Sequence, residues 1–332
     1  MQASAPSLLV TVDVEADMPR WQIEDPLTFR NMQALPAFHR ACTDAGLRPT
    51  YLVEHALLED ARSTAVLKEL QAGGQCEIGA HLHPWSCPPF APGERARIEY
   101  PSNLPAPHLR AKLERLTARL GDTLGRPPVS YRAGKFGLSA ATPPMLAALG
   151  YAADTSVTPL VDWRPQGGPD FTEEAPHPRV LLDGPRPLLE VPVGITLTRR
   201  LPAPLRRAYL RAPRALHLRG LLGPRGVNLV ELCWLYPALF SAEQMIAACD
   251  RLVAEGVPVL NVFLHSSELC PGQSPYTRSA DDVRAYLERF LRLVAHARRR
   301  HAARGETLAE FTHRYPKETG RERPGHLVAG YR

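Results

Sequence analysis

No stretch of eighteen or more apolar residues occurs anywhere in the 332-residue chain. A membrane-spanning helix is therefore excluded. The opening MQASAPSLLVTVDVEADMP has no basic stretch ahead of its apolar run, and Asp13 cuts that run short, so a secretory signal is not expected. Cysteine is sparse and scattered. Cys42, Cys76, Cys87, Cys233, Cys249 and Cys270 form no Cys-x-x-Cys pair, which excludes a disulfide frame and fits reduced thiols in the cytoplasm. No internal repeat is evident. Nor does any known nucleic-acid-binding pattern accompany the net charge of +6, so nucleic acid is not an expected partner.

What is present is an ordinary globular balance of 44% hydrophobic and 22% charged residues, enough for a large core. Proline is abundant, at 34 residues, and is spread through the chain, which implies many structured loops. Short apolar runs alternate with amphipathic stretches. SLLVTVDV, PTYLVE, CEIGAHLH, PVSYRA, YAADTS, LLEVPV and PVLNVFLH read as buried strands. Helices are expected near Thr28–Ala45, Leu58–Gln71, Pro107–Leu120, from Ser139 as N-cap to Gly150, over SAEQMIAACDRLVAEG, and near Ala280–Arg300. Such alternation implies parallel strands with helical crossovers, and about seven units favour a distorted (β/α) barrel over an open sheet. One domain over residues 1–315 is expected, with a basic insertion near 195–228 and a loose tail over 316–332.

Parallel barrels carry their chemistry at the C-terminal ends of strands. There the sequence places Asp13 and Glu15, His81 and His83, Arg132, Asp154 and His265. Residues two apart share a face while the strand persists. Asp13 and Glu15 also read as turn residues, and the histidine pair as hydrogen-bonded loop residues. Five such strand ends together favour one reactive rim. Two imidazoles and a carboxylate form a three-ligand set with an open position, which suits Zn²⁺ and also Co²⁺ or Ni²⁺. A second carboxylate can take a proton from water and an opposite imidazole can protonate a leaving amine. The chemistry read from this set is metal-assisted hydrolysis of an amide or ester.

The ordered set TVDVE, GAHLHPW, SYRAGKFG, YAADTS and VFLHSSEL resembles the polysaccharide deacetylases of the NodB-homology type, and its HLHPW form resembles a divergent subgroup. The likeness runs from about Leu8 to Leu269. It implies a distorted seven-stranded barrel and metal-dependent removal of N-acetyl groups from sugars. Asp13 matches the family's base. Val14 stands where the family has a metal aspartate, and Glu15, two residues from the base, takes that role. His81 matches the first histidine of the second motif; Trp85 occupies the place of the second, with His83 as the near substitute. Arg132 matches the arginine that holds the base, Asp154 the acid of the fourth motif, and Trp163 its aromatic. His265 falls at the end of the correct strand and becomes the general acid.

Expected substrate contacts are thus Trp85, Tyr131, Asp154, Trp163 and Ser266, with Trp21 and Tyr276 also in rim loops. The stretch Arg199–Arg225 holds eight arginines and no acid. It reads as a solvated lid, a patch for anionic membrane, or a phosphate site. The expected activity is N-deacetylation of a sugar or glycan precursor of the cell surface. A cyclic-amide hydrolase of the same superfamily and an inactive carbohydrate- or partner-binding barrel are the alternatives.

Overall fold

The structure is a computed structural model describing residues 5–23, 26–91, 98–182, 187–199, 201–211 and 230–319. The order of elements is β1 (Ser7–Val14), α1 (Leu35–Asp44), β2 (Thr50–Val53), α2 (Ala61–Ala72), β3 (Glu77–Leu82), α3 (Ala106–Leu124), β4 (Ser130–Ala133), α4 (Thr142–Ala148), β5 (Ala153–Asp154), β6 (Arg179–Leu182), β7 (Leu188–Glu190), β8 (Ile195–Leu197), α5 (Ala203–Arg211), β9 (Leu232–Trp234), α6 (Ala242–Ala254), β10 (Val259–His265), α7 (Ala280–His301), β11 (Arg304–Gly305) and α8 (Leu308–Thr319).

The main sheet runs β10-β1-β2-β3-β4-β5-β7-β6, and β11 also pairs with β1. All pairs from β10 through β7 are parallel, which gives the seven parallel strands expected; β6 joins β7 antiparallel at the edge. The sheet curls into a half-barrel. The gap between β7 and β10 is spanned by the β8–β9 ribbon through single hydrogen bonds. Gly194 N–H donates to Asn261 O (2.9 Å), Leu235 N–H to Gly194 O (2.8 Å) and Phe263 N–H to Leu235 O (3.0 Å).

Strands β1 and β10 are apolar and buried on both faces, as parallel strands under helices must be. One face packs against the helices in a large aliphatic core. The other face is polar in its middle. Thr11 donates to Asn261 (2.9 Å), Asn261 donates to Thr155 (2.9 Å), and Arg132 donates to Thr11 (2.7 Å). A second apolar cluster includes Phe136, Phe171, Tyr236 and Phe263.

Several boundaries differ from the sequence reading. α1 starts at Leu35, not Thr28, because Pro36 sits in its first turn, where its fixed φ and missing N–H are tolerated. α2 starts at Ala61, where the Asp60 carboxylate accepts from Ser63 N–H at 2.7 Å. Ser139 caps no helix: α4 begins at Thr142 with proline in its first turn, and the Ser139 hydroxyl bonds the Thr142 hydroxyl instead. The Ser241–Gln244 capping box is present. β6, β8, β9 and β11 were not expected.

The expected tail boundary at Pro316 falls inside α8, which continues to Thr319; the rest of the tail lies outside the described residues. So does most of the arginine-rich stretch, residues 200 and 212–229. Within its described part, Arg207 pairs with Glu173 at 2.9 Å. Among the described residues, no helix is long and apolar enough to cross a membrane.

Candidate active site

Parallel register brings β1 and β10 side by side, with Asp13 opposite His265. It also sets His81 opposite Arg132 on β3 and β4. Register partners in a parallel ladder share a face, so these four side chains point into the barrel mouth. Arg132 is wholly buried and anchored at every nitrogen. Its Nη1 donates to Asp13 Oδ1 (2.6 Å), its Nε to Thr155 O (2.9 Å) and its Nη2 to Thr11. The guanidinium also lies 5.0 Å from the centre of the Phe263 ring.

Beside this pair, Glu15, His81 and His83 have donor atoms all within 4.8 Å of one another. His83 Nε2 is 2.8 Å from Glu15 Oε2. His81 Nε2 is 3.6 Å from Asp13 Oδ2 and 3.7 Å from Glu15 Oε2. The other His81 nitrogen, Nδ1, lies 3.0 Å from the Arg132 carbonyl. A carbonyl can only accept, so Nδ1 carries a proton and Nε2 is the atom offered to the site.

The electrostatics of the set favour a cation. Burial opposes any charge on Glu15, yet hydrogen bonds from His81 and His83 and the charge of His265 hold its carboxyl well below the usual range. Burial also opposes a charged His81, but Asp13 and Glu15 overcome it and push that imidazole up. His83, buried and beside a charged His81, falls to about 4 and is neutral at pH 7. Glu15 Oε1 is buried with no hydrogen-bond partner among the described residues. A neutral imidazole, an imidazole holding a displaceable proton and a carboxylate with a spare oxygen fit a divalent ion.

His265 stands across the mouth. Its Nδ1 is 3.0 Å from Glu268 Oε1 and 3.2 Å from the Tyr236 hydroxyl. Glu268 is wholly buried; its Oε2 accepts from His265 N–H (3.0 Å) and from Tyr286 (2.8 Å). Burial disfavours the imidazolium, but the Glu268 charge more than compensates and pushes His265 up to about 9. Trp21 covers the ring at 4.9 Å.

The five expected substrate contacts divide. Trp85 is 5% exposed and stacks on His83 at 4.1 Å, so it braces the imidazole from behind. Ser266 is buried and accepts from Glu15 N–H at 3.2 Å, which fixes the backbone of that residue. Tyr131 and Asp154 are corrections. They are register partners on the face opposite Arg132, because each is one residue out of phase with the inward set. Tyr131 packs against Tyr151 in the helix-facing core, and Asp154 is buried against Ser156 and Glu190. Trp163 alone is half-buried at the mouth. It stacks on Phe136 (5.8 Å), lies 6.2 Å from Trp234 and donates Nε1–H to Thr158 (2.8 Å).

Two supporting residues were missed. Glu268 was not among the expected site residues; its position three residues after His265 was the available signal. Glu54 directly follows β2, a strand end that was visible but not used. Its carboxyl accepts from Ala16 N–H (2.5 Å) and Ser86 O–H (2.7 Å), so it ties the loop after Glu15 to the loop after His83. Burial, helped by the Glu15 charge, pushes it up to about 7.

No protein-family model matches the chain, and no curated protein matches it. Solved structures do. One, named a polysaccharide deacetylase from Mycobacterium smegmatis, is 14% identical with a TM-score of 0.57, over 96% of this chain and 93% of that one. Another, named a polysaccharide deacetylase from Pseudomonas aeruginosa PAO1, is 14% identical with a TM-score of 0.51, over 95% and 92%. The chain has the polysaccharide-deacetylase fold.

Proposed function

We propose that this protein is a metal-dependent hydrolase that removes an N-acetyl group from a sugar or glycan precursor. The observation that carries this reading is the placement of Asp13–Arg132 and His265–Glu268 on adjacent in-register strands, with the Glu15, His81 and His83 donors beside them. A divalent ion held by those three residues supplies a Lewis acid for the acetyl carbonyl and a lowered pKa for water.

The chain's own groups account for the proton traffic. Asp13 takes a proton from the attacking water, whose oxygen bonds to the carbonyl carbon. Arg132 fixes the orientation of that carboxylate through its contact at 2.6 Å. As the C–N bond breaks, protonated His265 gives its proton to the departing nitrogen. Acetate and a free amine result. Glu268 keeps His265 charged until that moment.

A sugar as substrate is supported by the aromatic wall of Phe136, Trp163, Trp234 and Phe263 between Arg132 and the mouth. Aromatic faces suit the apolar face of a pyranose ring. All six cysteines are free, which supports a reducing compartment, the cytoplasm. The test is acetate release from a panel of N-acetylated sugars by protein loaded with Zn²⁺, Co²⁺ or Ni²⁺, with cyclic amides assayed in parallel. Turnover of cyclic amides alone, or of neither class, overturns the reading.

A further inference from the structure

Away from the barrel mouth, α6 and α7 bring a second set of metal-binding atoms together. The Nε2 atoms of His296 and His301 both lie 2.6 Å from one oxygen, Asp250 Oδ1. Cys249, Asp250 and His301 have donor atoms all within 4.8 Å of one another. The two imidazole rings stand 5.7 Å apart. The thiol forms the wholly buried floor of this cluster, and the Asp250 side chain, 47% exposed, leaves it open to solvent.

Nearby arginines are turned to other work. Arg251 pairs with Glu255 at 2.9 Å, and Arg298 donates to the carbonyls of Ala45 and Gly46 at 2.7 Å. Arg299 and Arg300 are exposed, where water screens them. A single carboxylate oxygen receiving two imidazoles above a thiol is the donor arrangement of a mixed sulfur, nitrogen and oxygen metal site.

We propose that Cys249, Asp250, His296 and His301 form a second divalent-metal site, of a class suited to Zn²⁺. Binding replaces the two imidazole N–H bonds to Asp250 with bonds from Nε2 to the ion; each imidazole proton moves from Nε2 to Nδ1 by exchange with solvent, and the thiol proton passes to solvent. A thiol must lose its proton to become a ligand, so affinity rises with pH. The ion would fasten α6 to α7, the helix whose Tyr286 holds Glu268. The site is independent of the hydrolase reading.

Titration of the full chain with Co²⁺ tests it, because a thiolate ligand gives a sulfur-to-cobalt charge-transfer band in the near ultraviolet. The Glu15, His81 and His83 set has no sulfur and gives none. The expected result is a band in the native chain that persists in the His81→Ala/His83→Ala double variant and vanishes in Cys249→Ser. His301→Ala should weaken Co²⁺ binding at this site by at least about tenfold, since even supporting residues of metal sites cost that much. Circular dichroism checks the fold of each variant, and His301→Ala decides the matter if Cys249→Ser does not fold. Absence of the band from the native chain, its survival in Cys249→Ser, or an undiminished affinity in His301→Ala overturns the proposal.

Discussion

The Arg132 guanidinium meets the Asp13 carboxylate at 2.6 Å inside the barrel, with Arg132 wholly buried and Asp13 nearly so. Such a pair is expensive to desolvate and is kept rigid by its further bonds to Thr11 and Thr155. Rigidity of this kind suits a base that must stay aimed. Asp13→Asn keeps the shape and removes the base, so turnover should fall by roughly 10²- to 10⁴-fold while bound metal is retained. Arg132→Met should instead destabilise the fold by about 3–5 kcal/mol, because it strands a buried carboxylate. Metal analysis with a steady-state assay checks the first, and urea denaturation the second. Loss of metal from Asp13→Asn would exchange the roles given to Asp13 and Glu15.

His265 makes pH a second probe. Its folded pKa is raised from 6.5 to about 9. The sign follows from that direction: the imidazolium–Glu268 contact contributes its full stability below about pH 6.5 and is lost as pH rises through about 9. The alkaline limb of the rate profile should fall over the same upper range as the acid loses its proton. Glu268→Gln keeps the shape but removes the charge. Its alkaline limb should move toward ordinary imidazole values, and the loss of melting temperature between pH 6.5 and 9 should shrink. A limb unmoved in Glu268→Gln would take the general acid away from His265.

Much of this site was legible in the sequence because strand ends in a parallel barrel are positions of known meaning. Asp13, Glu15, His81, His83, Arg132 and His265 all come from strand-end motifs, and register alone brings them together. Face was harder to read. Asp154 and Tyr131 lie in equally good strand-end motifs, but β5 has two residues, too short for period-two phase to be judged from sequence. Burial was harder still. Trp85 and Ser266 belong to the site, yet they face its ligands from behind and not the substrate. Nothing local in HLHPW or HSSEL tells front from back; for Ser266 that depends on Glu15, 251 residues away.

Metal placement follows from the Glu15, His81 and His83 donors. Crystals soaked in Zn²⁺ should give anomalous density among these three side chains, and Glu15→Gln should abolish it. On the proposed reading the carboxylate would supply both a ligand atom and a negative charge beside the ion, so replacement by the neutral amide removes both. Density at these residues that persists in Glu15→Gln would require Asp13 as the metal carboxylate.

Gly134 offers the last test, because it acts on His83 without touching any charge. A Cβ at this position would fall 2.4 Å from His83 Nδ1 and 2.5 Å from the Leu82 carbonyl. Backbone oxygen cannot give way as a flexible side chain can, so part of the strain must pass to the imidazole. Retreat of that ring is limited by Trp85, which stacks on it at 4.1 Å. Gly134→Ala should cost about 1–3 kcal/mol, the usual range for overpacking a filled core. It should also lower metal affinity, as His83 is turned away from Glu15. Trp85→Ala frees space beside the ring, so the double variant should recover metal affinity relative to Gly134→Ala alone. Isothermal titration with Zn²⁺ in a Cys249→Ser background reads this site by itself. Additive losses in the double variant would show that the glycine and the tryptophan do not grip His83 between them.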